Sequence, residues 1–92
     1  MFKNIFTKKK EEKELEKDII YEALRNERTR LIDEIDRYEI MQAKAYNGEY
    51  FKDIEGTEEV NKILFKNHTE ILENLQFKLS KVNDIITSME RN

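Results

Sequence analysis

The chain has 92 residues, no cysteine, no proline, two glycines, a net charge of −3, and 40% charged residues. One small domain is the most it can form; disulfides and thiolate metal sites are excluded, and the acidic balance leaves room for only a local polyanion-binding patch. The charge content, well above the usual quarter or so, combines with the spacing of the apolar residues to indicate long helices or a coiled coil.

Residues 1–10 read as an amphipathic, basic arm. Phe2, Ile5 and Phe6 fall at i, i+3 and i+4 on one helical face, with Lys3, Lys8, Lys9 and Lys10 around them. Such an arm suits a partner protein or the hairpin itself. A membrane surface is the weaker alternative, because stable anchoring takes more than one such signal. The arm lacks the continuous apolar core of a secretory signal. No later stretch approaches the roughly 18 apolar residues of a membrane span, so a cytoplasmic setting is expected.

Residues 11–47 read as the first long helix. Leu24, Leu31, Tyr38 and Ala45 repeat every seven residues, and Tyr21, Arg28, Ile35 and Gln42 form the adjacent line. This is coiled-coil spacing held for more than three heptads. Asn47-Gly48 offers a left-handed cap to end the helix.

The loop, 48–56, carries Tyr50, Phe51 and Ile54 between its two glycines. Three large apolar residues are unusual in a simple reversal. The leading expectation is a plug over the end of the helix pair, since exposed apolar side chains are rare unless used. The alternative is a recognition tip that binds a partner protein.

Thr57 can cap a second helix over 57–91, with Glu58 and Glu59 placed where the helix dipole favours them. Its apolar face spans three heptad lines: Leu64, Ile71 and Ile85; His68, Leu75, Val82 and Met89; and Phe65, Leu72, Leu79 and Ile86. One antiparallel neighbour covers a two-position seam and leaves a surplus. The fold class is therefore all-α: a long antiparallel helical hairpin, with residue i roughly opposite 103−i, dimerising into a four-helix bundle. The self-association set is Leu64, Phe65, Ile71, Leu72, Leu75, Leu79, Val82 and Ile86.

Catalytic signals are missing. His68 is the single histidine, and without convergent partners it reads as a hydrogen-bonded seam residue near Ile35 and Tyr38 rather than a metal ligand. Its charging could tune the bundle near pH 6. Arg25, Arg28, Arg30 and Arg37 are four of the five arginines and could form an anionic-ligand or nucleic-acid face. The interleaved Glu27, Asp33, Glu34 and Asp36 argue against that. The function expected is non-enzymatic, without cofactor or metal. The chain should form a homodimer that binds another, unidentified protein as a small adaptor, assembly factor or inhibitor. Heavy use of Lys, Asn, Ile and Glu fits a low-GC bacterium or its phages and plasmids, hence a mobile genetic element.

Overall fold

A computed structural model describes the backbone of residues 2–91 and the side chains of residues 11–91. The chain forms two helices, α1 (Phe2–Tyr46) and α2 (Thr57–Arg91), and no strand among the described residues. With no proline to break it, α1 runs unbroken for 45 residues, so the expected arm and the first helix are one element. The Phe2, Ile5 and Phe6 side chains lie outside the described residues.

The helix end follows the residues that allow it. Gly48 takes φ +68°, its N–H donates to the Ala45 carbonyl at 3.1 Å, and the Glu49 N–H donates to the Lys44 carbonyl at 2.9 Å. This pair of bonds is a Schellman cap, which satisfies carbonyls that the end of a helix would leave open. Gly56 also has positive φ, just before α2 begins. Between the two glycines, Phe51 adopts φ +53° although it is not glycine. That conformation costs a bulky L-residue roughly 1–2 kcal/mol. The turn it makes is closed by Ile54 N–H donating to the Phe51 carbonyl at 2.9 Å.

The two helices pack along the expected heptad lines. Leu31, Ile35, Leu72 and Leu75 form the buried centre, with Tyr38, Leu79 and Val82 packed against it. Ala45 and Ile86 are buried toward the two ends. The molecule measures 79 × 20 × 14 Å, a rod only two helices thick. Each helix has a single neighbour, so only the two-position seam is covered.

The register differs from the one expected. Tyr38 meets His68, whose position numbers total 106, and Tyr21–Glu90, Gln42–Thr69 and Tyr46–Phe65 each total 111. The expectation of 103 assumed that the helices begin and end level. Instead α2 is displaced by about one to two turns, because the loop does not simply cross over. It lies alongside the first turns of α2, where Tyr50 is bonded to Asn61. At the opposite end, α2 finishes beside Tyr21, and α1 continues roughly 25 Å beyond it as a lone helix.

Candidate protein-binding surfaces

The loop end is held by a residue that the heptad lines did not single out. Asn61 lies one heptad before His68 on the same line and is only 5% exposed. Its amide works in both directions: Oδ1 accepts from the Tyr50 N–H at 3.2 Å, and Nδ2 donates to the Tyr50 carbonyl at 2.9 Å. Nδ2 also donates to the Thr57 carbonyl at 2.9 Å. An asparagine amide matches a peptide group in its donor and acceptor placement, so one side chain pairs with the Tyr50 backbone as a neighbouring strand would. The sequence signal was a polar residue at a seam position. That position lay beyond the part of the line that apolar residues define.

The clamp divides the loop into two parts. Tyr50 is half-buried and its ring lies 6.2 Å from that of His68, which also meets Tyr38 edge-on at 5.8 Å. Tyr50 therefore acts as the expected plug. Phe51 and Ile54 do not: they are 58% and 61% exposed. The left-handed backbone at Phe51 and the turn at Ile54 leave both side chains in solvent, where Tyr46, 77% exposed, extends the same apolar end. Ala45, Tyr46, Asn61 and Phe65, with the charged Glu58 and Lys62, line an open cavity of about 550 Å³ between the end of α1 and the start of α2. His68 sits beside Tyr38 as expected, but it is not hydrogen-bonded as expected. Its buried Nδ1 has no hydrogen-bond partner among the described residues.

The residues expected to mediate self-association separate by position. Leu72, Leu75 and Ile86 are buried and Phe65, Leu79 and Val82 half-buried, all on the seam facing α1 within the same chain. Leu64 and Ile71 lie on the flanking line with Ile85, where Ile71 and Ile85 remain exposed. The surplus apolar width is real, and it lies beside the seam rather than on it. Ile20 and Ile32 on α1, and Ile63 and Phe77 on α2, are exposed as well.

The four arginines are engaged differently. Arg25 stacks over Tyr21 at 5.7 Å, and Arg28 lies on the seam with no ion pair among the described residues. Arg30 is held by two carboxylates of its own helix, bonding both to Glu27 and to Glu34, the latter at 2.6 Å. The bond from Arg30 draws the Glu27 carboxyl below its ordinary pKa, with Lys78 adding to the effect, and in return Glu27 raises the Arg30 guanidinium. An arginine already neutralised twice has little to offer a phosphate. Arg37 stands apart on the outer surface. Across the open end, the Tyr21 hydroxyl donates to Glu90 at 2.8 Å, which raises the phenol pKa. On that same flank Gln42 donates to Thr69 at 2.8 Å.

No family model, no curated protein and no solved structure matches this chain. The site must therefore be read from its own chemistry. Among the described residues, no three His, Cys, Asp or Glu side chains gather as a metal site, and no helix is long and apolar enough to cross a membrane. What the rod presents is exposed apolar surface: Ile20, Ile71 and Ile85 on one flank, Phe51 and Ile54 in the loop, and others such as Ile32, Ile40, Ile63 and Phe77 elsewhere along it.

Proposed function

We propose that the chain is a non-enzymatic helical-hairpin protein that self-associates and acts by binding another protein, as an adaptor, assembly factor or inhibitor would. The observation that carries this reading is an imbalance: among the described residues, thirteen large apolar side chains are exposed, against six apolar residues buried in the core. A 92-residue chain with so small a core gains much from covering that surface, and patches of this kind mark interaction sites. The flank beside the seam serves self-association. The loop end, with Phe51, Ile54 and Tyr46, serves the second protein.

Phe51 supplies the strongest support for the loop end. A bulky residue is kept in a left-handed conformation with its ring in solvent, and such strain is retained where a tip must keep its shape. The test is comparative affinity capture with the wild-type chain and a Phe51→Ser/Ile54→Ser variant. Both side chains are exposed, so the variant should retain its helicity and melting temperature while losing one or more captured proteins. Identical capture by both chains would overturn the assignment of the tip.

A further inference from the structure

We infer that the flank carrying Ile20 and Met41 of α1 and Leu64, Ile71 and Ile85 of α2 is covered by a second copy of this chain, related by a two-fold axis parallel to the helices, so that both loops lie at the same end. The inference rests on the self-association proposed above and adds the face and the arrangement.

The two flanks of the hairpin differ in kind. On one, α2 presents only the polar Lys62, Thr69, Gln76 and Asn83 at seven-residue spacing, the helices are tied by the polar Tyr21–Glu90 and Gln42–Thr69 bonds, and the apolar residues are Ile32 and Tyr46 of α1 alone. On the other, α1 presents Ile20, Glu27, Glu34 and Met41, and α2 presents Leu64, Ile71, Lys78 and Ile85. The register sets these two lines level with each other in reverse order: Tyr38 against His68 brings Glu27 to about the height of Lys78. The flank therefore has an apolar group at each end and a charged group of both signs in the middle. Ile20, Ile71 and Ile85 are exposed there, while Met41 and Leu64 are half-buried.

A two-fold axis parallel to the helices sets α1 of one copy against α2 of the other at the same height. Ile20 then meets the second copy's Ile85, Met41 meets its Leu64, and Glu27 meets its Lys78. Glu34 falls opposite Ile71, but its carboxylate is already held by Arg30 at 2.6 Å. An axis perpendicular to the helices sets α1 against α1 in reverse. Glu27 would then face Glu34 twice, and Lys78 would face Ile71. Arg30 already holds both carboxylates, so what that arrangement lacks is an opposite-charge contact between copies, which the first supplies in Glu27–Lys78. All neighbouring helices run antiparallel in both arrangements, as in up-down bundles, so the contacts across the interface distinguish them. The flank is about 30 Å long between Ile20 and Met41, and with the rod's 20 Å breadth it buries on the order of 1,200 Å² in total. That is the lower end of a stable interface.

The absence of cysteine makes the test direct. A single spin label at Asp53→Cys, in the exposed part of the loop, reports the distance between the two tips by pulsed dipolar spectroscopy. A sedimentation measurement on the same labelled protein gives its mass. The inference predicts a dimer with the labels roughly 20–35 Å apart, the spacing of helices packed about 10 Å apart plus label arms. An Ile20→Glu/Ile85→Glu variant should halve the mass without loss of helicity. A dimer with labels roughly 50–65 Å apart, the tip separation that an axis perpendicular to the helices and centred between Glu27 and Glu34 would set, would overturn the arrangement and leave self-association standing. A dimer that survives Ile20→Glu/Ile85→Glu would overturn the face. A single-chain mass in the labelled wild type would overturn both this inference and the self-association beneath it.

Discussion

Asn61→Ala tests how the loop end is built. The side chain makes three hydrogen bonds, two to the Tyr50 backbone and one to the Thr57 carbonyl. Each is worth about 1 kcal/mol net. The Tyr50 N–H and C=O, only part-buried, can recover some hydration once freed, so the three losses do not grow into full desolvation penalties. The expected destabilisation is about 2–3 kcal/mol. For a chain of this size that corresponds to a fall in Tm of roughly 10–20 °C. Amide exchange should show where the loss falls: the Tyr50 N–H becomes unprotected, while the Leu31 and Leu72 amides follow global stability. Asn61→Asp is the sharper variant. A carboxylate keeps an acceptor for the Tyr50 N–H but turns an oxygen toward two carbonyls, so it should be less stable than Asn61→Ala at neutral pH. A Tm within 2 °C of wild type for Asn61→Ala, with the Tyr50 amide still protected, would refute the clamp.

Further outcomes follow from the same geometry. Leu31→Ala, at a side chain with no exposure, should cost roughly 3 kcal/mol in thermal or urea unfolding, whereas the exposed Ile19→Ala should leave monomer stability within about 0.5 kcal/mol. Gly48→Ala meets no neighbouring atom within 4 Å, so its cost is that of the left-handed backbone alone, about 1–2 kcal/mol, with unchanged helicity by circular dichroism. The Glu27–Arg30 contact gives an acid-side effect of known sign. The folded Glu27 carboxyl is held below its ordinary pKa, so its contribution is present above the ordinary carboxylate range and is lost as pH falls through the depressed value. Arg30→Gln should flatten that part of the pH–stability curve only slightly, because both groups are exposed.

Much of this was legible in the sequence where a local rule decides the outcome. The seam lines from Tyr21 to Ala45 and from Phe65 to Met89 follow from seven-residue spacing, and the cap at Gly48 follows from the one residue type that adopts positive φ at no cost. The register was not legible, because it depends on the path of the loop and not on either helix. Once Tyr50 is drawn beside Asn61, α2 slides by a turn or more. Asn61 itself looked like any surface asparagine until the Tyr50 backbone was placed next to it. The left-handed Phe51 runs against propensity, and a strained residue cannot be read from rules that describe unstrained ones. The division of the three loop aromatics and aliphatics into one plug and two exposed side chains follows from those two features together. The surplus apolar width of α2 was legible, but its location beside the seam required the structure.

The exposed flank of this hairpin is, on the proposal above, covered by a second copy. Sedimentation equilibrium of the untagged wild-type chain, at tens of micromolar and moderate salt, tests it most directly. The expected result is a species of twice the 11.2 kDa chain mass; a single ideal species of 11.2 kDa across that range would rule the second copy out.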